Sequence, residues 1–316
     1  MKIVFLDAQT LGNDVSLESV SSLGEYVAYP ATSPEKTVER IQGADVVITN
    51  KVYMGKEQID SCPTLKLICV AATGTNNVDM EYAASKGIPV RNAVNYSTES
   101  VAQVTFMHIL NLVGKGFYFD NYVKCGEYSD SGCFTNAVNP FFELKGKKIG
   151  IVGLGNIGSR VAAIASAFGM EVVYYPTSGK AHSDHYKAVT DLNEFLGQCD
   201  IVSIHCPLNA KTNGLIGYEQ LCKMKRSAYI VNMGRGGIVI EDELVKALND
   251  GVIAGAAADV FTKEPFAPDH PYMKVADKSR IRLTPHIGWA SKEARECLIE
   301  KIAENIRQGW QLSASK

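Results

Sequence analysis

The chain has no Cys-x-x-Cys pair, no signal-peptide or membrane-span pattern, no internal repeat, no low-complexity tract and almost no net charge. Each absence removes a class of protein. The eight cysteines, at 62, 69, 125, 133, 199, 206, 222 and 297, are scattered and most sit in apolar runs. They read as reduced, mostly buried thiols and not as disulfides or metal ligands. A formal charge of -2, from 32 Lys+Arg and 34 Asp+Glu, leaves no basic surplus for nucleic acid or an anionic membrane. A small-molecule partner is favoured instead. The opening Met1-Lys2-Ile3-Val4-Phe5-Leu6-Asp7 is too short for the apolar core of a signal peptide and reads as a first buried strand. A cytoplasmic protein is therefore expected, and the match of Asn95-Tyr96-Ser97 to a glycosylation acceptor is read as chance.

What is present is an ordinary globular composition, 46% hydrophobic and 21% charged over 316 residues, enough for two domains with separate cores. Short apolar runs alternate with segments of helical period, the pattern of parallel sheets covered by helices. Strands are expected near 2–6, 25–29, 45–49, 66–70 and 88–90, with helices near 35–42 and 79–86. A long helical stretch from about 98 to 125 precedes a second series of strands near 148–152, 171–175, 200–204, 228–232, 254–258 and 281–284. The fold class expected is α/β, with two doubly wound parallel-sheet domains, one Rossmann and one flavodoxin-like. The segment 291–306 carries an apolar stripe at helical spacing. Pairing with the stretch 98–125 would return the chain to its first domain, giving a discontinuous domain of 1–98 and 290–316, an inserted domain of 99–289 and a ligand cleft between them.

The most informative stretch runs from Lys148 to Gly158, an apolar strand leading into Gly153-Leu154-Gly155-Asn156-Ile157-Gly158 and then a helix. Gly-x-Gly-x-x-Gly means little in an arbitrary loop. Between a strand and a helix each glycine acquires a distinct role. Gly153 makes the tight turn, Gly155 admits a pyrophosphate, and Gly158 allows close helix packing. Because the motif falls near mid-chain, a complete unit precedes it.

Three residues beyond later strands supply reaction chemistry: Arg235 in Met233-Gly234-Arg235-Gly236, Glu264 in Thr262-Lys263-Glu264-Pro265, and His286 in Thr284-Pro285-His286-Ile287-Gly288. In a parallel sheet the carboxyl ends of strands share one edge, so these groups can converge. Reduction of a 2-keto acid by hydride transfer requires a proton for the carbonyl oxygen, and an imidazole suits that role. Glu264 beside His286 would favour the imidazolium, while Arg235 would present a planar fork to the substrate carboxylate and carbonyl.

In order and wording these motifs resemble the D-isomer-specific 2-hydroxyacid dehydrogenase family over essentially the whole chain. The segments Leu6-Asp7-Ala8-Gln9-Thr10-Leu11-Gly12, Val70-Ala71-Ala72-Thr73-Gly74-Thr75-Asn76-Asn77-Val78-Asp79 and Asn95-Tyr96-Ser97-Thr98-Glu99-Ser100-Val101-Ala102-Gln103 look most like glycerate dehydrogenases, also called hydroxypyruvate reductases. The resemblance implies reduction of hydroxypyruvate or glyoxylate, with the catalytic Arg, Glu and His at Arg235, Glu264 and His286. It further implies that Thr73 and Gly74 bind the substrate carboxylate, with Thr73 also near the cofactor. Asn156 and Ile157 would lie over the pyrophosphate, Cys206 and Pro207 along the adenosine, Met233 by the nicotinamide ribose and Asp259 at the carboxamide, and His286 and Gly288 would also bind the cofactor.

One departure bears on the cofactor. NAD-specific members end the strand after the glycine helix with an acid that binds the adenosine ribose. Here Val172-Val173-Tyr174-Tyr175 runs into Pro176. Thr177, Ser178 and Lys180 then offer hydrogen bonds and a positive charge to a 2′-phosphate, which leaves NAD or NADP as the expected cofactor. Formate dehydrogenases of this fold have an asparagine at Ser97 and a Gln-His pair for Glu264 and His286, so formate oxidation is not expected. Phosphoglycerate dehydrogenases usually carry a regulatory domain that this length does not hold. The contrasting reading is a non-catalytic dinucleotide sensor of the same fold, but such proteins carry a long tail, and the short end of this chain favours the enzyme. The aromatic segment 115–147 embraces a second subunit in the family, which implies a homodimer.

Overall fold

The computed structural model describes residues 1–181 and 183–314. The chain divides into two compact units, one of Met1–Ser97 with Trp289–Lys316 and the other of Thr98–Gly288; residues 315 and 316 lie outside the described set.

The first unit is a five-stranded parallel sheet of β1 (Lys2–Phe5), β2 (Glu25–Ala28), β3 (Val46–Thr49), β4 (Leu67–Val70) and β5 (Val90–Asn92). Its spatial order, β2-β1-β3-β4-β5, is the flavodoxin-like order expected. The central strands β3 and β4, Val-Val-Ile-Thr and Leu-Ile-Cys-Val, are buried at every residue, as strands covered on both faces must be. Two apolar clusters lie on the sheet: Val4, Ile41, Val47 and Ile68 belong to one, while Ile3, Phe5, Ile48 and Cys69 belong to the other.

The helix Lys292–Ala314 completes the second of these clusters with Ala294, Leu298, Ile299, Ile302, Ala303 and Ile306. Each large aliphatic side chain so buried contributes about 1.5–3 kcal/mol, enough to dock the helix on β4 and β5. The stretch 98–125 belongs to the second unit, where the helix Thr98–Val113 packs on the helix Asn156–Ala167 and on the sheet strands beneath it. It is also not one helix. Two glycines flank Lys115, which sits in the left-handed region at φ 53, and a separate helix Gly116–Lys124 follows. The strand expected near 88–90 lies at β5, two residues further on.

The second unit is a seven-stranded parallel sheet: β6 (Lys148–Val152), β7 (Glu171–Tyr175), β8 (Lys187–Ala188), β9 (Ile201–Ile204), β10 (Tyr229–Asn232), β11 (Gly255–Ala258) and β12 (Ile281–Leu283). The order β12-β11-β10-β9-β6-β7-β8 places β6 inside the sheet beside the central strand β9, with the chain winding outward first to β8 and then back to β9 and on to β12. This is the Rossmann order with one added edge strand, and its switch point falls beside β6. Apolar clusters cover this sheet too, one built on Val202, Ile204 and Ile230, the other on Ile149, Ile151 and Val231 with Phe106 and Ile109 from the helix above.

None of the eight cysteines is bridged. The expectation of mostly buried thiols is corrected: Cys62, Cys69, Cys199 and Cys206 are buried, whereas Cys125, Cys133, Cys222 and Cys297 are exposed. Cys125 and Cys133 flank short helices that bury no residue at all, so their apolar neighbours lie at the surface too. Among the described residues no helix is long and apolar enough to cross a membrane.

Candidate active site

The glycine turn is built by contact on two sides and by openness in the middle. Gly153, at φ +88, closes against the chain after β9: a Cβ here would lie 2.8 Å from the Cβ of Cys206. A Cβ on Gly158 would stand 2.2 Å from the Gly153 carbonyl oxygen, so the first turn of the helix Asn156–Ala167 can sit on the strand only without a side chain. Gly155 is the opposite case. A Cβ there would meet nothing within 4 Å, which leaves bare backbone facing open space at a helix N-terminus. This arrangement fits a dinucleotide pyrophosphate, whose oxygens would be received at the N-terminus of that helix. Asn156 at that terminus is exposed and Ile157 half-buried.

On one side of β6 lies the end of β7. Pro176 is buried, Thr177 half-buried, and Ser178 and Lys180 exposed, with the turn closed by the Gly179 N–H donating to the Pro176 carbonyl at 2.8 Å. No carboxylate occupies 176–180. On the other side, after β9, burial pushes the Cys206 thiol up to about 11, so it remains a thiol, and Pro207 is exposed. Burial also pushes the neighbouring His205 imidazole down to about 3, leaving a neutral ring whose Nε2 lies 2.8 Å from Ser203 Oγ.

Arg235, Glu264 and His286 follow β10, β11 and β12, three adjacent strands. Behind β10, the Asn232 side chain clamps the turn: its Nδ2 donates to the Arg235 carbonyl at 3.0 Å and its Oδ1 accepts the Gly234 N–H at 3.1 Å. Arg235 is half-buried, and its NH1 donates to the Gly234 carbonyl at 2.8 Å. The next residue, Gly236, touches the loop after β11 backbone to backbone. A Cβ at Gly236 would fall 1.9 Å from the carbonyl carbon of Phe261.

Glu264 divides its two oxygens between fold and site. Oε1 accepts the Phe261 N–H at 2.9 Å, which pins the carboxylate to its own loop, and Oε2 accepts from His286 Nδ1 at 2.6 Å. The ring nitrogen left over, Nε2, is available to a ligand. Side-chain exposures of 24% for His286 and 30% for Glu264 make the pair accessible without being fully solvated. His286 itself sits at φ 54, a region costly for a residue with a Cβ and one that accumulates at functional sites.

Asp259, at the end of β11, holds that backbone in place. It is 2% exposed. Its Oδ1 accepts the Thr284 hydroxyl at 2.6 Å and the Ile287 N–H at 2.8 Å, and its Oδ2 accepts the Gly288 N–H at 2.7 Å. The family resemblance led to the expectation of Asp259 at the carboxamide; what the structure shows is this internal role. Met233 is buried and close by, with its Cε 3.2 Å from where a Cβ of Gly288 would lie. Thr73 and Gly74 belong to the first unit, in the loop after β4, where Thr73 Oγ1 donates to the Ala93 carbonyl at 2.9 Å. Sequence reasoning missed Asn232, Thr284 and His108, whose Nε2 lies 2.9 Å from Thr284 Oγ1. For His108 the one signal was a histidine in an apolar helical stripe; its partner lies 176 residues away.

Among the described residues no group of three His, Cys, Asp or Glu side chains is placed to hold a metal ion. An imidazole paired with a carboxylate, a guanidinium on the neighbouring strand end and a phosphate cradle in the same sheet together suit proton-coupled hydride transfer.

Comparison with known proteins agrees with this chemistry. Residues 106–288 match the family described as "D-isomer specific 2-hydroxyacid dehydrogenase, NAD binding domain". A hydroxypyruvate reductase of Blautia hydrogenotrophica is 37% identical over 98% of this chain and 96% of its own. A glycerate dehydrogenase of Methylorubrum extorquens is 38% identical over 96% of this chain and 95% of its own. Among solved structures, a D-lactate dehydrogenase of Aquifex aeolicus complexed with NAD and lactic acid superposes with a TM-score of 0.84 at 26% identity, covering 100% of this chain and 97% of its own.

Proposed function

The chain belongs to the D-isomer-specific 2-hydroxyacid dehydrogenase family, and from that membership we propose that it reduces hydroxypyruvate to D-glycerate, or glyoxylate to glycolate, with NADH or NADPH. The observation that carries this reading is the 2.6 Å bond from His286 Nδ1 to Glu264 Oε2 at adjacent strand ends. A reduced nicotinamide, when bound, supplies the hydride. His286 Nε2 gives the proton to the carbonyl oxygen and takes it back in the reverse direction. Glu264 accepts from Nδ1–H, which fixes the ring orientation and stabilises the imidazolium before transfer. Arg235 offers its planar donor fork to the substrate carboxylate and to the charge that develops on the carbonyl oxygen. Backbone amides at Thr73 and Gly74 are assigned to the carboxylate as well, and Asn156, Ile157, Cys206, Pro207, Met233 and Gly288 to the cofactor. These assignments rest on the family resemblance. No observation favours the non-catalytic alternative.

Cofactor choice turns on Pro176. With no carboxylate at 176–180 to repel a 2′-phosphate, and with Thr177, Ser178 and Lys180 there to receive it, catalytic efficiency with NADPH is expected to match or exceed that with NADH. Initial rates of hydroxypyruvate reduction with both cofactors check this. The substitution Pro176→Asp should shift the ratio toward NADH by about ten-fold, the effect of roughly 1.4 kcal/mol of like-charge repulsion. A wild-type preference for NADH by orders of magnitude would overturn the NADP assignment.

We further assign a homodimer working in the cytoplasm. The connector between Val113 and β6 exposes Phe134 at 92%, Val138 at 93% and Phe141 at 62%, an apolar surface costly in a monomer. Light scattering at micromolar concentration should return twice the chain mass of 34.3 kDa, and a single-chain mass refutes the dimer. The cytoplasm is supported by eight unbridged cysteines, and recovery from a membrane or periplasmic fraction would contradict it.

A further inference from the structure

A hydrogen-bonded chain runs from the helix Thr98–Val113 to the loop that carries His286. His108 is 2% exposed on that helix, and its Nε2 stands 2.9 Å from Thr284 Oγ1. Thr284 Oγ1 stands 2.6 Å from Asp259 Oδ1, whose carboxylate also gathers the amides of Ile287 and Gly288. The direction of every link follows from counting protons. A hydroxyl has one. At 2.6 Å from a carboxylate oxygen, the Thr284 hydroxyl must donate that proton, because two oxygens without a hydrogen between them repel at such a distance. Its other contact is then one it accepts, so His108 Nε2 carries a hydrogen. Burial pushes the His108 imidazole down from its ordinary value, which makes the ring neutral and places its single proton on Nε2.

We propose that His108 is a positioning residue for the reduction, orienting the Thr284 hydroxyl onto Asp259 so that Asp259 holds the Ile287 and Gly288 amides and, with them, the backbone of His286. The proposal rests on the function assigned above. The physical need is visible in the backbone: His286 sits at φ 54, and a residue with a Cβ leaves that region unless its neighbours over-determine it. Asp259 supplies that restraint with three accepted hydrogen bonds. Remove His108, and Thr284 Oγ1 is left with a buried vacant acceptor. The Thr284 rotamer then loses the contact that steadies its hydroxyl on Asp259 Oδ1, and the loop loosens. Proton transfer suffers, because a catalytic group displaced by a fraction of an ångström loses rate steeply. Substrate binding through Arg235 does not, because that residue is held by Asn232 on β10.

The test compares His108→Leu, His108→Gln and Thr284→Val in the full chain. His108→Leu is expected to lower kcat for hydroxypyruvate by about ten-fold, to leave KM within about two-fold, and to raise the primary isotope effect measured with deuterated NADH. Glutamine, whose amide can donate from nearly the same place as Nε2, should restore most of the rate. Thr284→Val should reproduce the leucine defect, and the double variant should be no worse than Thr284→Val alone. Amide exchange of Ile287 and Gly288 should accelerate about ten-fold in His108→Leu and stay near wild type in His108→Gln. A His108→Leu protein with unchanged kcat and unchanged exchange overturns the proposal, as does a glutamine variant as impaired as the leucine one. A wild type that reduces neither hydroxypyruvate nor glyoxylate overturns the substrate assignment instead, and the exchange rates then decide the positioning role alone.

Discussion

Replacing His286 by alanine is expected to lower kcat for hydroxypyruvate reduction by about two to four orders of magnitude, the usual contribution of a positioned general acid. Nothing nearby replaces the lost proton: Glu264 Oε1 is bound to the Phe261 amide, and its Oε2 loses the imidazole that it orients. A guanidinium is not a proton donor for this chemistry, so Arg235 does not stand in for the imidazole. Cofactor binding should survive, because the cradle at Gly153, Gly155 and Gly158 follows β6, with β9, β10 and β11 between that strand and the one His286 follows. Stability should survive as well, since the imidazole is partly exposed and its removal opens no core cavity. The measurement is steady-state turnover together with NADH titration on the same preparation. A variant that binds NADH normally and keeps more than about a tenth of the rate would show that the proton comes from elsewhere.

Gly236→Ala is expected to damage both stability and rate, although it adds one methyl group. The new Cβ would lie 1.9 Å from the Phe261 carbonyl carbon, 2.1 Å from its oxygen and 2.2 Å from the Thr262 nitrogen, all of them backbone atoms that no rotamer change can move. The loops after β10 and β11 must separate, at a cost of about 1–3 kcal/mol for overpacking. For a unit of this size that lowers Tm by roughly 2–12 °C. Because those loops carry Arg235 and Glu264, an outward shift of about 1 Å should also cut kcat/KM by up to roughly a hundred-fold. Gly155→Ala provides the contrast. Its Cβ meets no atom within 4 Å, so folding should be unaffected while NADH affinity falls, the methyl group entering the space read as the pyrophosphate site. Scanning calorimetry and kinetics on the two variants separate the cases, and a Gly236→Ala protein as stable as wild type would mean that the loops yield more easily than their backbone contact indicates.

Periodicity and composition suffice for the fold because parallel strands buried on both faces must be apolar at nearly every position. Val46–Thr49, Leu67–Val70 and Ile201–Ile204 are legible for that reason, and the glycine motif is legible because Gly153 and Gly158 answer steric demands that no other residue meets. Arg235, Glu264 and His286 are visible as residues that follow strands of one sheet, but only as candidates. Whether any two of them meet depends on strand order, and a chain written in one dimension does not display that β10, β11 and β12 are neighbours. The break at Lys115 escapes a reading by helical period, since a single left-handed residue between two glycines leaves the apolar spacing on either side intact. Docking of the helix Lys292–Ala314 on β4 and β5 likewise needed the tertiary structure, because an apolar stripe states that a helix is buried and not what buries it. The sequence by itself determined the two sheets, the phosphate cradle and the kinds of side chain available for the chemistry. The tertiary structure alone decided the pairing of Glu264 with His286, the hydrogen bonds that Asp259 accepts from Thr284, Ile287 and Gly288, and the place of His108, because each depends on contacts between residues 22 to 176 positions apart that no local pattern encodes.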